Sequence, residues 1–235
     1  MRPEPNFGRG MTRARKSESR APRLEDDRAR ALELTPVVPD VLARLDRYVA
    51  LLQQWQAKVN LIAASSAAKL WTRHVADSLQ LVALAPQART WIDLGSGAGF
   101  PGLVIACAIA EREGVRVHLV ESNAKKAAFL REAVRACGAP AVVHATRAEE
   151  FSAQFDGKPD VVTARALAPL AELIELSRPL LKTGAIGIFP KGQDVEVELT
   201  EAAKYWSIRS TLVPSKTSAA ARIVVIQRAE RRNRQ

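Results

Sequence analysis

The chain has 235 residues, 47% of them hydrophobic, and a formal net charge of +10. That length and apolar content suffice for one buried core with an appendage, whereas two full-sized domains are not expected. No apolar run approaches the length of a membrane span and the N-terminus lacks a signal-peptide hydrophobic region, which indicates a cytoplasmic protein with no membrane partner. The two cysteines, Cys107 and Cys137, lack metal-ligand spacing and are expected to be buried free thiols, so no metal site is predicted.

The positive charge is concentrated at the two ends of the chain. Residues 1–23 carry a net charge of +5 and residues 228–235 a net charge of +3, which leaves +2 for the rest. Arg-rich segments with Pro and Gly and no apolar periodicity stay solvated, so residues 1–31 and 230–235 are predicted to be basic tails, the first of them disordered. Such tails could tether the protein to RNA phosphates. Alternatively, the first is a solubilising extension or reflects a misassigned start, since Met11 is a second candidate.

The first regular elements in chain order are helices. Apolar residues recur at helical spacing in residues 24–52 and again from about 67 to 84. Residues 32–87 are therefore predicted to form a helical region whose apolar stripes pack on the core of the protein.

Short apolar strands alternate with helices in the rest of the chain, residues 88–229. The strands are expected at residues 91–94, 115–120, 141–143, 161–163, 185–189, about 207–213, and 223–226. This rhythm predicts an α/β fold, with a mainly parallel, doubly wound sheet that carries helices on both faces.

A glycine-rich turn after the first strand is the strongest functional signal. Residues 93–102 read DLGSGAGFPG, and a helix is expected to open at Pro101. About twenty residues further on, Glu121 ends the second strand, where an acid is placed to accept hydrogen bonds from ribose hydroxyls. The arrangement predicts a site for an adenosine-containing ligand.

The spacing of the turn distinguishes between such ligands. In the frame Asp93-x-Gly95-x-Gly97-x-Gly99 an acid precedes the first glycine, where it would repel a pyrophosphate. The same acid would attract the cationic sulfonium and ammonium end of S-adenosylmethionine, which favours a methyltransferase. An oxidoreductase that binds NAD(P) or FAD, and a glycine turn without a ligand, remain the alternatives.

Several further motifs occur in one order along the chain. They are Asn60-Leu61, Arg73-His74-x-x-Asp77-Ser78, Glu121-Ser122-x-x-Lys125-Lys126, Arg147-Ala148-Glu149-Glu150, Ala164-Arg165-Ala166, Lys191-Gly192 and Arg222. With the glycine turn, this set resembles, over about residues 45–227, the bacterial small-subunit rRNA guanine-N7 methyltransferases, the RsmG or glucose-inhibited division protein B family. The resemblance implies a Rossmann-like class I methyltransferase fold with a seven-stranded sheet whose last strand is antiparallel. It also implies S-adenosylmethionine as cofactor and methylation of guanine N7 in the 530 loop of 16S rRNA, at position 527.

Candidate cofactor residues all lie at the carboxyl ends of predicted strands, where ligands bind in such sheets. Gly95, Phe100, Ala148, Glu149 and Arg165 contact the cofactor by resemblance, and the glycine motif and its paired acid add Asp93, Gly97, Gly99 and Glu121. A backbone N–H near Ala148 could read the adenine edge, which Phe100 could flank. Glu149 could instead be a solvated acid in the first turn of a helix.

Guanine N7 requires little acid–base chemistry from the protein. Its lone pair attacks the methyl group without first losing a proton, so catalysis consists of positioning and desolvation, and no general base is predicted. The positioning candidates are His74, Asp77 and Arg165. His74 and Asp77 could form a hydrogen-bonded pair that shapes the pocket or contacts guanine, or they could cap or buttress the glycine turn.

The expected partner is 16S rRNA or the small ribosomal subunit, and no protein partner is predicted. Arg73, Lys191 and Arg222 are the candidate phosphate contacts, although a single surface cation is usually only solvated. Asn60 is expected to be a turn or cap residue. A methyltransferase that acts on a small molecule or a protein stays open as the alternative function.

Overall fold

The computed structural model describes residues 24–232 of the chain. Most of the first predicted tail and the last three residues therefore lie outside the described part. The first helices are α1 (Leu24–Leu34), α2 (Pro39–Gln56) and α3 (Ala64–Ala67), followed by a continuous helical run made of a π-helix (Trp71–Ala76), α4 (Asp77–Leu79) and a 3₁₀ helix (Gln80–Leu84). Within residues 24–232, no helix is long and apolar enough to cross a membrane.

Strands and helices alternate through the rest of the chain. The strands are β1 (Thr90–Leu94), β2 (Arg116–Val120), β3 (Ala141–His144), β4 (Val161–Thr163), β5 (Ile186–Lys191), β6 (Trp206–Pro214) and β7 (Arg222–Arg231). The helices between them are α5 (Gly102–Ala108), α6 (Ala124–Cys137), α7 (Ala148–Gln154), α8 (Leu170–Leu181) and α9 (Val195–Ala203). Helix α5 begins at Gly102, so Pro101 precedes the helix and does not open it as predicted.

The seven strands form one sheet in the order β3-β2-β1-β4-β5-β7-β6. Strands β1 to β5 are parallel to one another, whereas β7 is antiparallel to both β5 and β6. The prediction of a mainly parallel seven-stranded sheet with an antiparallel last strand is confirmed. Because the chain moves outwards from β1 to β3 and then returns to β4, the strand order reverses between β1 and β4, the point at which open α/β sheets bind ligands.

Adjacent residues of β1 separate the core into two halves. Trp91 faces the half that contains α2, α5 and α6, and Ile92 faces the half under α8 and α9. This alternation follows from the two-residue period of a strand, and burial on both faces explains why β1 reads as a continuous apolar run until Asp93. The two cysteines are buried in the first half with free thiols.

The helical region begins earlier than predicted. Helix α1 starts at Leu24, so the tail boundary at residue 31 is corrected: Asp27 and Ala31 are buried. The Asp27 carboxylate accepts hydrogen bonds from the backbone N–H groups of Trp71 (2.8 Å) and Thr72 (3.2 Å). The first turn of α1 is acidic, and a charged segment is expected to be solvated when its partners lie far away in the sequence. The sequence therefore did not show that this segment packs on the protein.

The sheet also extends further than predicted at the other end of the chain. Strand β7 runs to Arg231, and its last residues pair with the start of β6, Glu230 with Ser207 and Arg231 with Trp206. This corrects the domain boundary at residue 229. Backbone pairing needs no apolar side chains, so a charged strand end is not visible as a strand in the sequence.

Candidate functional site

A pocket of about 280 Å³ lies where β1 and β4 end. Its walls are the glycine turn, two residues of the π-helix, helix α3 with the three residues before it, and the second and third residues after β4. The lining residues are Leu61, Ile62, Ala63, Ser65, Ser66, Arg73, His74, Gly95, Ser96, Gly97, Ala98, Phe100, Arg165 and Ala166. The structure therefore brings together the turn and the two motifs Arg73-His74 and Arg165-Ala166, which are about 90 residues apart.

The glycine turn exposes backbone to this pocket. Gly97 has a φ of +57°, and a Cβ placed there would meet only the carbonyl oxygen of Gly95 at 3.9 Å. Gly102, in contrast, is packed against the strand, because a Cβ there would lie 2.6 Å from the Cβ of Asp93. Glycine thus serves two needs in one turn: a left-handed backbone open to a ligand, and a close approach of α5 to β1.

Glu121 ties the tip of β2 to the glycine turn. Its two carboxylate oxygens accept hydrogen bonds from the backbone N–H groups of Gly97 (2.8 Å) and Asn123 (2.7 Å). Each carboxylate oxygen has a second lone pair, so the acid retains capacity for the hydroxyl groups of a ligand.

Asp93 lies beneath the turn and not on the pocket wall. The residue is fully buried, and one carboxylate oxygen accepts from the backbone N–H of Gly102 at 3.0 Å. Its other oxygen, Oδ1, has no hydrogen-bond partner among residues 24–232. Burial raises the pKa of Asp93 to about 7. The acid therefore fastens the start of α5, a role that the charge argument from sequence did not include.

Arg165, His74 and Phe100 form a stacked group beside the turn. The guanidinium Nη2 of Arg165 donates to Nδ1 of His74 at 2.7 Å. The His74 ring stacks on Phe100 with centroids 4.8 Å apart, and the guanidinium carbon lies 5.3 Å from the Phe100 centroid. Because arginine can only donate, Nδ1 of His74 is the acceptor and the ring proton is on Nε2.

The imidazole of His74 is neutral in this position. Burial, together with the positive charges of Arg165 and Arg73, lowers the pKa of His74 to about 3. Its Nε2 has no partner among the described residues. A neutral ring whose acceptor nitrogen is already engaged cannot readily take up another proton.

Asp77 does not pair directly with His74. Its Oδ1 accepts from Nε2 of Gln80 (2.9 Å) and from the hydroxyl of Thr217 (2.8 Å), and its Oδ2 lies 3.7 Å from Nη1 of Arg165. Arg165 thus stands between the two residues, and the expected His74–Asp77 hydrogen bond is replaced by contacts to Arg165. The stack of His74 on Phe100 corresponds to the alternative, a buttress of the glycine turn.

The three candidate phosphate contacts differ in their surroundings. Arg73 is exposed and lines the pocket. The side chain of Lys191 is only 9% exposed, and its ammonium donates to the carboxylate of Glu198 (2.7 Å) and the carbonyl of Ala168 (2.9 Å). Arg222 donates to nearby backbone carbonyls and is half-buried. Of the three, only Arg73 is placed as the phosphate hypothesis requires.

Ala148 and Glu149 form the first turn of α7, after β3. Ala148 is half-buried and Glu149 is exposed, and neither lines the 280 Å³ pocket. The helix has no side-chain N-cap, since Arg147 at that position makes no such bond, so no capping side chain satisfies its first N–H groups.

Two residues important to the site were missed in the sequence. Tyr48 of α2 donates its hydroxyl to the carbonyl of Ala98 in the glycine turn at 2.5 Å, whereas in the sequence it is one of the apolar-patterned residues of the segment 24–52. Ala166, on the pocket wall, is the one non-glycine residue of the described part with a positive φ, +53°. Backbone strain of this kind is common at ligand sites, but no local sequence signal reveals it.

The site fits S-adenosylmethionine better than a dinucleotide. A pyrophosphate would need free N–H groups at the start of α5, and there the N–H of Gly102 is already bound to the Asp93 carboxylate. An open backbone at Gly97 and an acid at the tip of β2 suit a ligand that carries a ribose. The sheet order and this turn define a class I S-adenosylmethionine-dependent methyltransferase.

Solved structures share this fold. The SAH-bound Podospora anserina methyltransferase PaMTH1 aligns with a TM-score of 0.60 at 11% identity, over 93% of this chain and 98% of that one. An O-methyltransferase from Bacillus cereus in complex with SAH aligns with a TM-score of 0.53 at 13% identity, over 77% of this chain and 90% of that one. At such identities the likeness concerns the fold alone.

The family follows from sequence comparison. Residues 41–225 match the family model GidB, rRNA small subunit methyltransferase G. The curated protein "Ribosomal RNA small subunit methyltransferase G" of Nitrobacter hamburgensis is 57% identical over 224 residues, which are 95% of this chain and 85% of that protein. Its namesake in Bradyrhizobium sp. (strain BTAi1) is 58% identical over 207 residues, 88% of this chain and 93% of that protein. The chain belongs to the GidB family, which confirms the resemblance seen in its motifs.

Proposed function

We propose that this protein transfers the methyl group of S-adenosylmethionine to N7 of a guanine in the 530 loop of 16S rRNA. Its membership of the family supports the rRNA substrate. The observation that carries the choice of atom is that the titratable side chains around the pocket are already engaged. Nδ1 of His74 accepts from Arg165, Oδ1 of Asp77 accepts from Gln80 and Thr217, and Asp93 is sealed beneath the turn. This arrangement suits a nucleophile that loses no proton.

The glycine turn and the neighbouring strand ends would hold the cofactor. Bound S-adenosylmethionine supplies an electrophilic methyl group on a sulfonium. Glu121 would accept hydrogen bonds from ribose hydroxyls with its remaining lone pairs, and the open backbone at Gly97 would lie against the ligand. Ala148 and Glu149, at the uncapped start of α7, would receive the adenine.

The opposite wall of the pocket would orient the base. The stack of His74, Phe100 and Arg165 presents a flat, largely desolvated surface, and Arg73 lies exposed at its rim where an RNA phosphate could approach. Arg165 is the central positioning residue, because it contacts the backbone of Arg73, the ring of His74 and the carboxylate of Asp77. Holding N7, the methyl group and the sulfur in line then supplies the catalysis. The protein would meet this substrate in the cytoplasm.

The test of this proposal uses the charge that N7 methylation fixes on guanine. Reduction followed by aniline should cleave the methylated RNA at one guanine of the 530 loop. The full chain is incubated with S-adenosylmethionine and either deproteinised 16S rRNA, assembly intermediates or small subunits. Methyl incorporation without an aniline-sensitive site would overturn the N7 assignment. Methylation of a small molecule or a protein, with none on any form of the RNA, would overturn the rRNA substrate.

A matched pair of variants links that activity to the pocket. Gly97→Val and Gly184→Val both place a β-branched residue at a positive φ, +57° and +103°, in positions where a Cβ meets nothing closer than 3.9 Å. Gly184 precedes β5 and so lies at the amino ends of the parallel strands, opposite the carboxyl ends that carry the pocket. Because +103° lies outside the left-handed region that L residues can enter, Gly184→Val should cost at least as much stability as Gly97→Val. Only Gly97→Val is expected to abolish cofactor binding in equilibrium dialysis and the cleavage site in the RNA.

A further inference from the structure

The loop between β6 and β7, residues 215–221, is fastened to the helical run that carries His74. The backbone N–H of Lys216 donates to Oε1 of Gln80 at 2.8 Å, and Nε2 of Gln80 donates to the hydroxyl of Ser215 at 3.2 Å. The hydroxyl of Thr217 donates to Oδ1 of Asp77 at 2.8 Å. Three hydrogen bonds thus join two segments about 135–140 residues apart in sequence.

Apart from the contact of Asp77 with Arg165, the side chains of Gln80 and Asp77 are directed to each other and to this loop. Gln80 is a buried polar residue, 5% exposed, and within residues 24–232 all its side-chain hydrogen bonds go to Asp77 or to this loop. The Asp77 side chain is 18% exposed, and in the same described part of the chain its Oδ1 accepts only from Gln80 and Thr217. A buried side chain that satisfies a loop backbone fixes the position of that loop, because breaking the contact would leave unpaired polar groups.

The fastened loop presents one free cation. Residues 215–221 contain Lys216 and no acid. Arg222, the residue after the loop, donates hydrogen bonds to two loop carbonyls, those of Ala219 (2.7 Å) and Ala221 (2.8 Å). Lys216 is exposed, and among residues 24–232 its ammonium has no hydrogen-bond or ion-pair partner. Its surroundings contrast with those of Lys191, whose ammonium is buried against Glu198.

The loop also lies on the pocket side of the molecule. Asp77, its anchor, is one helical turn beyond Arg73 and is 3.7 Å from the guanidinium of Arg165, both of which line the pocket. A strand of RNA whose base entered the pocket would carry its phosphates past the rim formed by Arg73 and this loop. Cations at such a rim bind phosphates and fix the register of the nucleic acid.

We infer that the β6–β7 loop is a substrate-binding element in which Lys216 binds an RNA phosphate next to the target guanine, with Asp77 and Gln80 as positioning residues that hold the loop. This inference rests on the proposed rRNA substrate. It assigns Asp77 to the loop, whereas the sequence left two roles open, a contact in the base pocket or a buttress of the glycine turn.

The salt dependence of RNA binding tests the role of Lys216. Lys216→Ala is compared with Lys158→Ala, which removes an exposed lysine next to a second pocket at the other end of the strands. Loss of one phosphate contact should weaken rRNA binding about fivefold at roughly 0.1 M salt and reduce the log–log salt slope by about 0.7. Lys158→Ala should match the wild type, Lys216→Arg should retain the slope, and the Kd for S-adenosylmethionine should be the same in all variants.

A second pair of variants tests the fastening of the loop. Thr217→Val removes the hydroxyl bound to Asp77 and leaves Lys216 in place, and Thr200→Val removes an exposed hydroxyl that bonds only within α9. Only Thr217→Val should raise the KM for rRNA, with kcat and the KM for cofactor unchanged.

The outcomes separate this inference from the proposed function. If the wild type methylates rRNA and the salt slope of Lys216→Ala equals that of the wild type, the inference is overturned and the proposed function stands. If the wild type neither binds nor methylates rRNA or ribosomal particles, the proposed function falls, and this inference with it.

Discussion

Removal of the Tyr48 hydroxyl tests whether the helical region before β1 supports the glycine turn. Tyr48 is fully buried in α2 and donates to the carbonyl of Ala98, and a Cβ on Gly99 would lie 3.0 Å from its hydroxyl oxygen. Burial raises the pKa of Tyr48 well above its usual value, so the hydroxyl keeps its proton and stays a donor. Tyr48→Phe removes that donor and leaves the ring in its tilted contacts with Phe100 and Phe129.

The size of the effect follows from the burial of the acceptor. Ala98 is 5% exposed, so its carbonyl has little access to water once the hydroxyl is gone. A buried acceptor left unpaired costs about 1–3 kcal/mol. If binding must restore the order of the turn, the same free energy would weaken cofactor binding by about fivefold to a hundredfold, at roughly 1.4 kcal/mol per factor of ten.

Isothermal titration with S-adenosylmethionine and urea unfolding measure the two quantities side by side. The chain has two tyrosines, and Tyr205 is 53% exposed, so Tyr205→Phe is a matched control that should leave both values unchanged. A Kd for Tyr48→Phe equal to that of the wild type, despite a loss of stability, would refute the reasoning. The hydroxyl would then serve the fold and not the site.

Three other changes test the remaining contacts. Because burial raises the pKa of Asp93 from 3.8 to about 7, the folded state retains a proton that the unfolded state releases, and stability should fall as pH rises from about 4 to 7. In Asp93→Asn the free energy of unfolding, measured with urea, should no longer show this decrease with pH. If its pH dependence equals that of the wild type, Asp93 is not a buried protonated acid. The pKa of His74 is lowered to about 3, so its contribution to stability should be complete above about pH 6.5 and decline as pH falls towards 3. Because His74 stays neutral between about pH 6 and 8, it should add no pH dependence to cofactor affinity in that range. The pH profile of His74→Asn should therefore have the same shape as that of the wild type there. Lys191→Met should lower the free energy of unfolding, by less than the roughly 3–5 kcal/mol of a fully buried pair because the Glu198 side chain is 27% exposed. The salt slope of RNA binding should stay unchanged. A shallower slope would restore Lys191 as a phosphate contact.

The sequence predicted what short-range patterns determine. The apolar runs located all seven strands, and the glycine turn with Glu121 identified the edge of the sheet that carries the site. Strand pattern and turn chemistry are local, since they depend on the period of a strand and on the conformational freedom of glycine at positions such as Gly97. The class of fold and the cofactor followed from them.

Contacts between distant segments were not predictable in the same way. Arg165 and His74 are 91 residues apart, and Thr217 and Asp77 are 140 apart. His74 and Asp77 lie on neighbouring turns of one helical run, but Arg165, which is distant in sequence, contacts both of them and decides which partner each one finds. A lysine such as Lys191 looks the same in sequence whether it meets a phosphate or a buried glutamate.

The helical region before β1 supports both walls of the pocket. On the cofactor side, Tyr48 of α2 holds the glycine turn at Ala98. On the base side, Asp27 of α1 accepts from the first N–H groups of the π-helix, at Trp71 and Thr72, and so fixes the start of the element that carries His74. A π-helix is uncommon, often occurs at functional sites, and needs its free N–H groups satisfied at the N-terminus. Helix α1 lies before the residues matched by the family model, which begin at residue 41, yet its carboxylate completes the helix on which the proposed base pocket depends.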